Sequence, residues 1–264
     1  MKLMKEREGI YIMKKRFVLL LMTVAMFICG CQNEEKKSEI VVPSTTEQSV
    51  EQKDENPSKE SVPEEEISKE NVYQEQMDLV YQALSQEWSI DKCFENEISS
   101  LISNHYEGNA LEDVGYALKD LDWDGKEELL ISAVSKDFAG GMLYDVYSAP
   151  NGKVVHLLSG HERNRYYLQW MEEGLYMIAN EASNSAFNSA WYYYGLTSGQ
   201  LKLMQGIVFN AEADENNPWF FTYDEDWDVS NDTQDVDGMA ESIIEAYTRS
   251  YTTLEYTPFS SYDN

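Results

Sequence analysis

Between residues 116 and 131 the chain reads Tyr116-Ala117-Leu118-Lys119-Asp120-Leu121-Asp122-Trp123-Asp124-Gly125-Lys126-Glu127-Glu128-Leu129-Leu130-Ile131. We predict strands over residues 115–121 and 128–134, so the acidic residues between them form a tight loop joining two antiparallel strands. The glycine inside the loop permits a sharp turn, because it adopts backbone conformations that other residues avoid. This stretch therefore predicts a β hairpin, and the other predicted elements extend the same pattern.

The loop carries carboxylates at its first, third, fifth and ninth positions, which are Asp120, Asp122, Asp124 and Glu128. Carboxylates at this spacing converge on one point, and the carbonyl of Lys126 adds a further hard oxygen ligand of the kind that Ca²⁺ prefers. We therefore predict a structural Ca²⁺ ion held by these five residues. The alternative is an acidic turn that needs no ion, but crowded carboxylates without a cation repel one another and their pKa values rise.

Further strands recur at short spacing after this hairpin, separated by turn residues such as Pro150-Asn151-Gly152. The spacers are too short for crossover helices, so we predict an antiparallel meander of propeller-blade-like hairpins rather than a parallel sheet. The fold class is α+β, with a helical pair before the strands and one helix after them. The additional strands are predicted over residues 142–148, 153–159, 166–170, 175–179, 190–196, 200–208 and 219–223, and a final extended segment over residues 252–259.

Helices are predicted on both sides of the strand region. Ser89 is the expected N-cap of the second helix, Cys93 is expected to be a buried thiol, and a closing helix is expected over residues 239–250. Apolar residues at helical spacing predict the first helix, with one face toward the core, and a second set of apolar residues after Ser89 is also expected to face the core. The first face consists of Tyr73, Met77, Val80, Leu84 and Trp88, and the second of Ile90, Phe94, Ile98, Leu101 and Ile102.

The N-terminus predicts export and lipid anchoring. Three basic residues at 14–16 precede the apolar run 17–28, which is shorter than the roughly 20 residues that a membrane span needs. The run ends at Ile28-Cys29-Gly30-Cys31, which matches a bacterial lipobox with Cys31 as the lipidated residue. We predict a signal peptide over residues 1–30, an acidic disordered tether over residues 31–70 and a single globular domain over residues 71–264, with translation starting at Met1 or Met13.

The acidic loop resembles the calcium loops of FG-GAP and VCBS repeats, which join two strands in propellers and in bacterial surface proteins. An EF-hand is not expected, because Glu127 and Ile131 occupy the positions that need an apolar residue and a glutamate. With the lipobox and tether, the chain also resembles a group of lipoproteins from Gram-positive gut bacteria. The hairpin at residues 144–147 and the segment 254–259 contribute to that resemblance, which implies an extracytoplasmic location at the cell membrane and no particular activity.

Charge and composition exclude some functions. The chain of 264 residues has 20 Lys and Arg against 48 Asp and Glu, a formal net charge of −28. A nucleic-acid partner is not expected, because phosphate contacts require clustered basic residues. The membrane contact is expected through the lipid on Cys31, since an acidic surface is repelled by anionic lipid.

Two functions follow from these observations. The first is a calcium-stabilised binding or scaffold domain at the membrane, with a glycan or protein as the ligand and no catalytic role. The second is an extracellular hydrolase that acts on glycan or peptidoglycan through a carboxylate pair, which requires a cleft with two carboxyls, one of raised pKa. Single histidines without partners at ligand spacing, and the incomplete metalloprotease motif at His161-Glu162, give no catalytic residue.

Two further stretches have alternative interpretations. Asn184 and Asn188 next to the aromatic run 191–194 have the composition of a sugar-binding face, although alternate residues of one strand would instead fill the core. Residues 233–241 repeat the spacing of the acidic loop with Thr233 in first place. A second ion site there is less simple than Asp235 or Asp237 capping the helix that follows.

Overall fold

One antiparallel sheet of twelve strands organises the chain, and the computed structural model describes residues 72–137, 140–172 and 174–263. The sheet order is β10-β9-β8-β7-β6-β5-β3-β2-β1-β12, with β4 paired to β3 and β11 paired to β5. The strands are β1 Val114–Lys119, β2 Glu128–Ala133, β3 Met142–Ser148, β4 Val155–Ser159, β5 Asn164–Glu172, β6 Leu175–Ser185, β7 Asn188–Thr197, β8 Gln200–Asn210, β9 Trp219–Thr222, β10 Thr233–Gln234, β11 Tyr251–Thr252 and β12 Thr257–Pro258.

The predicted fold class is confirmed, because sequence neighbours from β5 to β10 are also neighbours in the sheet. The sheet is open, with β10 at one end of the path and β12 at the other. Strand β3 lies where the simple order changes: its first residues pair with β5, its later residues with β4, and its other edge pairs with β2.

The hairpin of β6 and β7 is longer than predicted. The predicted strands ended at residue 179 and began again at residue 190, but pairing continues through Asn180↔Tyr192, Ala182↔Ala190 and Ser183↔Ser189. The polar residues of this segment have low intrinsic strand preference, and their partners on neighbouring strands supply the backbone hydrogen bonds instead. Strand β5 likewise begins at Asn164 rather than at the predicted residue 166.

Three α helices precede β1, and a fourth lies between β10 and β11. They are α1 Gln74–Ser85, α2 Ile90–Glu95, α3 Ala110–Asp113 and α4 Ala240–Thr248, with 3-10 turns at Ser100–His105, Val229–Asn231 and Phe259–Ser261. The Ser89 side chain accepts a hydrogen bond from the Lys92 amide, so the predicted N-cap is confirmed. Within the described residues no helix is both long and apolar enough to cross a membrane.

The predicted core face of the second helix is wrong at two positions. Ile90 and Phe94 are 51% and 52% exposed, whereas Cys93 between them is fully buried, as predicted. Helix α2 ends at Glu95, and Glu97 has a left-handed φ of 54°, so the helical period does not continue to Ile98. The remaining predicted core residues of this region are buried: Tyr73, Met77, Val80, Leu84, Trp88, Ile98, Leu101 and Ile102.

A hydrophobic cluster covers each face of the central strands. On β2, Leu129 and Ile131 belong to the cluster under helices α1 to α3, and Leu130 belongs to the cluster on the opposite face. This alternation follows from the two-residue period of a strand, in which successive side chains point to opposite faces. All described residues of β2 and β3 are buried, because both faces of these strands are covered.

A fully buried carboxylate, Asp145 on β3, joins the N-terminal helical region to the sheet. Both of its oxygens lie 3.1 Å from the Ser99 amide, and it also accepts a hydrogen bond from the Ser159 hydroxyl. The His156 Nε2 atom lies 3.4 Å from Asp145 Oδ1. Burial lowers the pKa of His156, but the hydrogen bond and the charge of Asp145 outweigh burial and raise that pKa above its ordinary value.

The His156–Asp145 pair predicts a specific pH dependence of stability. Because the folded pKa of His156 is raised above 6.5, its contribution is complete below pH 6.5 and is lost as pH rises through the folded pKa. We expect the free energy of unfolding, measured by urea denaturation, to fall as pH rises from about 6.5 through the raised pKa of His156, and this fall to be smaller in His156→Gln. The control His161→Gln should retain the fall, since the pKa of His161 is lowered; equal pH profiles for the wild type and His156→Gln would contradict the assignment.

The predicted signal peptide at residues 1–30, the tether at residues 31–70 and the lipidation residue Cys31 lie outside the described residues.

Candidate metal centre

The acidic loop joins β1 to β2, whose closing pair is Lys119↔Glu128. Two residues of the loop have left-handed backbone conformations, Trp123 with a φ of 64° and Gly125 with a φ of 82°. No atom lies within 4 Å of the position that a Cβ would take on Gly125, so the glycine is needed there for its conformation and not for space. These two reversals fold the loop back on itself.

Backbone amides of the loop hold its carboxylates in place. Asp120 accepts from the Trp123 amide at 2.7 Å and from the Gly125 amide at 3.0 Å. Asp122 accepts from the Asp124 amide at 3.2 Å, and Asp124 accepts from the Lys126 amide at 2.8 Å. Each carboxylate therefore uses part of its acceptor capacity on the loop itself and keeps lone pairs available for a ligand.

Three of the predicted ligands come together. One carboxylate oxygen from each of Asp120, Asp122 and Asp124 lies within 4.8 Å of the other two, which is a cluster that can hold a metal ion. Partial burial raises the pKa of Asp122, and the neighbouring charges of Asp124 and Asp120 raise it further. The crowding expected from the sequence is therefore present at the centre of the loop.

Glu128, the fourth predicted acidic ligand, does not belong to this group of three, although it lies near enough to Asp122 and Asp124 for their charges to affect it. It is 2% exposed and accepts from the Leu121 amide at 3.1 Å and from the Ser148 hydroxyl at 3.0 Å. Burial raises its pKa to about 7, against these two hydrogen bonds, and the charges of Asp122 and Asp124 add to the increase. The charges of the loop therefore affect the pKa of the Glu128 carboxylate, and the two hydrogen bonds of that carboxylate connect the start of the loop to β3.

Lys126 contributes a charge to the loop in addition to the carbonyl for which it was predicted. Its Nζ atom lies 3.8 Å from Asp124 Oδ2 and donates to the Pro150 carbonyl in the neighbouring turn. The ammonium group therefore balances part of the negative charge at the open side of the loop. Both groups are partly exposed, so water weakens their attraction.

The loop is connected to elements on both sides. The Tyr73 hydroxyl, just before α1, donates to the Glu127 carbonyl at 2.7 Å, and the Leu121 carbonyl accepts from the Tyr176 amide at 3.2 Å. Any ligand that makes the loop rigid therefore also makes the contact between the first helix and the sheet more rigid.

A second stretch with the same acidic spacing was missed in the sequence. Residues Asp224, Asp226, Asp228 and Asp232 also occupy the first, third, fifth and ninth positions of a loop, with Trp227 in fourth place as Trp123 is in the first loop. The spacing itself was the available signal. Within the described residues, however, only Asp120, Asp122 and Asp124 bring their oxygens together as a group of three, so the second loop does not form such a cluster.

The weaker repeat at residues 233–241 has a structural role at a helix terminus. Asp235 is buried, and its carboxylate accepts from the Ala240 amide, the first residue of α4, at 2.7 Å. The helix begins after Met239, which makes no side-chain capping bond. The prediction that Asp235 or Asp237 is the N-cap is therefore wrong, because Met239 occupies that position; Asp235 instead satisfies the first amide of the helix from a buried position five residues before that amide.

The aromatic run at residues 191–194 does not form an exposed face. Tyr192, Tyr193 and Tyr194 are at most 5% exposed and point alternately to the two faces of β7. Trp191 packs against Trp219, and Tyr193 lies edge-on against Tyr247. The interpretation in which alternate residues of one strand fill the core is therefore the right one for these tyrosines, and the alternative of a solvent-exposed face is wrong, because the strand period distributes the rings over both sides of the sheet.

The carboxylates that line one surface cleft do not support a hydrolytic site there. This cleft, of about 510 Å³, lies beside β9 and is lined by Glu212, Asp214 and Asp228 among others. Hydrogen bonds from Gln234 and Ser230 lower the pKa of Asp214 and Asp228 respectively. A general acid needs a raised pKa, so these two carboxylates do not have the properties of a hydrolase pair.

No family model, curated protein or solved structure matches this chain. The geometry of its own residues is therefore the basis for the functional assignment.

The buried position of Glu128 predicts a large loss of stability on truncation. Glu128→Ala leaves the Leu121 amide without its acceptor, which costs roughly 1–3 kcal/mol of unfolding free energy. Glu128→Gln keeps an acceptor oxygen and is expected to cost less. Urea denaturation in EDTA measures the effect without metal, with Glu127→Ala as the exposed neighbouring control; equal losses for Glu128→Ala and Glu127→Ala would show that the buried hydrogen bonds contribute nothing.

Proposed function

We propose that this protein is a lipid-anchored extracytoplasmic lipoprotein whose domain is stabilised by one structural Ca²⁺ ion and acts as a binding or scaffold module. The observation that carries the proposal is the convergence of Asp120, Asp122 and Asp124 within 4.8 Å in the loop between β1 and β2. The Lys126 carbonyl and Glu128 complete the proposed ligand set.

Calcium is the cation that suits these ligands best. The group contains oxygen ligands from carboxylates and no cysteine or histidine, which argues against zinc and other softer metals. Mg²⁺ requires near-ideal octahedral geometry and is held reluctantly by flexible protein loops, whereas Ca²⁺ accepts irregular coordination by six to eight oxygens. Extracellular calcium modules have dissociation constants on the order of 10⁻⁴–10⁻³ M, which fits an exported protein.

A bound cation would act on stability through charge. Burial raises the pKa of Asp122, and a cation would offset the repulsion from Asp124 and Asp120 that raises it further; it would also fix a loop that contacts both the segment before α1 and the start of β6. The proposed role of the ion is therefore structural. Its removal should loosen the loop and its anchors and leave most of the sheet in place.

Thermal unfolding of the full chain with and without calcium tests the metal proposal. With a dissociation constant near 10⁻⁴ M and about 2 mM Ca²⁺, binding adds roughly 2 kcal/mol, which raises the melting temperature by roughly 4–8 °C relative to EDTA. Mg²⁺ at the same concentration should give a smaller increase. Asp122→Asn should abolish the calcium effect, because it removes the charge at the centre of the cluster.

The second acidic loop provides the matched control for this experiment. Asp226 occupies the same third position as Asp122 in a loop of the same spacing, but its loop forms no group of three oxygens among the described residues. Asp226→Asn should therefore retain the calcium-dependent increase. Equal melting temperatures in calcium and EDTA for the wild-type chain would contradict the metal proposal.

Lipid anchoring is proposed from the sequence of the N-terminus. The basic residues, the apolar run of limited length and the Ile28-Cys29-Gly30-Cys31 segment form the pattern of a lipoprotein signal. The acidic tether that follows has 12 acidic residues against 5 lysines over residues 31–70, so it favours a solvated chain that holds the domain away from the membrane.

Metabolic labelling with a palmitate analogue in a Gram-positive host tests the anchor. We expect label on the wild-type chain and none on Cys31→Ala, which should be found in the medium rather than in the membrane fraction. Cys29→Ala is the matched control, because it removes a neighbouring thiol and leaves Cys31 in place. Label that survives in Cys31→Ala would exclude Cys31 as the modified residue.

A further inference from the structure

A second cleft, of about 390 Å³, opens on the face of the sheet opposite helices α1 to α3, and we call it the Tyr166 cleft. Its floor is formed by β5, β6 and β7, and its wall by the second acidic loop, residues 224–232. The aromatic lining consists of Tyr166, Tyr192, Tyr194 and Trp227. Its volume falls in the range of small-ligand sites, which combine aromatic surface with a few placed polar groups.

The floor of the cleft is polar where an apolar core would be expected. On one sheet face, the row Leu168, Ile178 and Tyr194 belongs to the hydrophobic cluster. The next row on the same face pairs Tyr166 with Asn180 and Asn180 with Tyr192. A buried amide at the centre of a strand face is costly unless it makes hydrogen bonds, so its presence marks a place where polar contacts are required.

These polar groups form a directed chain of hydrogen bonds. The Asn180 amide group donates to Asn164 Oδ1 at 2.7 Å and to the Arg165 carbonyl, and the Asn164 amide group donates to the Tyr166 hydroxyl at 3.1 Å. Since the hydroxyl accepts from Asn164, its own hydrogen is directed away from that amide. Asn180 is 2% exposed, so the chain is fixed from below and presents the Tyr166 hydroxyl at the cleft.

The second acidic loop, residues 224–232, places one carboxylate, from Glu225, and one indole, from Trp227, at the same cleft. Burial raises the pKa of the Tyr194 hydroxyl and the nearby charge of Glu225 raises it further, and the Tyr192 hydroxyl donates to the Asp226 carbonyl at 3.3 Å. Trp227 lines this cleft and also the neighbouring cleft of about 510 Å³, so its ring lies between the two. A ligand longer than one ring can therefore extend past Trp227.

We propose that the Tyr166 cleft binds a neutral carbohydrate, a short segment of an uncharged glycan chain. The inference rests on the binding role proposed above and names its ligand class. Sugar hydroxyl groups both donate and accept hydrogen bonds, which matches a lining of amides, hydroxyl groups, one imidazole, one carboxylate and one guanidinium. The apolar C–H faces of a sugar ring match the half-buried rings of Tyr166 and Trp227, whereas Tyr192 and Tyr194 are at most 5% exposed and contribute little accessible ring surface.

Charge argues against the other ligand classes. An anionic glycan would approach a chain of net charge −28 across a wall that carries Asp224, Glu225, Asp226 and Asp228. A cationic ligand would be attracted by that wall, but the lining of the cleft itself holds one positive and one negative group, Arg163 and Glu225, and so offers no net charge to pair with a cation. A purely apolar ligand would leave the amide and hydroxyl groups without partners, which costs binding free energy.

Calorimetric titration of the full chain, in a detergent without a sugar headgroup, tests the inference. The probes are neutral tetrasaccharides of glucose, mannose or N-acetylglucosamine, with tetragalacturonate as the anionic probe and tetraglucosamine as the cationic probe. We expect saturable binding of at least one neutral probe at concentrations up to about 10 mM and weaker binding of both charged probes. Tryptophan fluorescence should change on binding, since Trp227 lines the cleft.

Two variants place the binding at this cleft. Tyr166→Phe removes one hydroxyl group and should lower the affinity for the neutral probe by about three- to tenfold. Arg163→Ala should also weaken it, whereas the control Arg165→Ala should not, because residue 165 points to the opposite face of β5 and lies near Tyr167. Absence of binding by every neutral probe, binding of tetraglucosamine alone, or unchanged affinity in Tyr166→Phe and Arg163→Ala would each overturn the inference.

The calcium measurement separates this inference from the proposed function. The cleft variants should retain the calcium-dependent rise in melting temperature, because none of the proposed calcium ligands in the loop at residues 120–128 lines the cleft. A chain that shows the calcium effect but binds no neutral sugar overturns only the carbohydrate inference. A chain that binds sugar equally in calcium and EDTA, with no change in melting temperature, overturns only the metal proposal.

Discussion

Strands β2 and β3 are buried on both faces, and the arrangement of the other elements follows from the need to cover them. Helices α1 to α3 cover one face and the far part of the meander with its loops covers the other. Since every backbone group of such strands must be paired inside the protein, β1, β4 and β5 are required as partners along their edges. The long hairpins from β5 to β8 extend outward from this centre.

The same two strands carry the most buried acidic groups of the domain. Glu128 begins β2 and Asp145 lies within β3, and each is 2% exposed or less. Burying a carboxylate is costly unless donors surround it, and here backbone amides and hydroxyl groups do so. Each of these carboxylates also links the sheet to another segment: Asp145 contacts Ser99 in the helical region, and Glu128 holds the start of the acidic loop. In a strongly acidic chain, these buried charges therefore serve as connections between elements.

The sequence was sufficient for features set by local chemistry. Turn residues located the hairpins, helical spacing located the buried face of α1, and Ser89 was correctly assigned as a cap. The spacing of Asp120, Asp122 and Asp124 predicted a cluster that the fold indeed brings together. The failures came where neighbours decide the outcome. The polar extension of β6 and β7 depends on adjacent strands, and the exposure of Ile90 and Phe94 depends on where α2 stops. The Tyr166 cleft combines three strands and a distant loop, so the sequence indicated only part of its lining, namely Asn184 and two residues of the run 191–194.

The two acidic loops show how one residue can determine whether the carboxylates of a loop come together or the loop forms the wall of a cleft. Both have acids at the first, third, fifth and ninth positions and tryptophan at the fourth, but the sixth residue is Gly125 in one and Val229 in the other.

A β-branched residue strongly disfavours the left-handed conformation that Gly125 adopts, and no residue between 224 and 232 has a positive φ. Val229 instead begins a 3-10 turn and is buried in the hydrophobic cluster beside Trp227. The backbone therefore does not fold back, the carboxylates remain apart, and the tryptophan is turned toward the sheet face. In the first loop the reversed backbone at Trp123 and Gly125 leaves the indole 57% exposed and brings the carboxylates together. The backbone freedom of the sixth residue thus determines whether an acidic pattern brings its carboxylates together or forms the wall of a cleft.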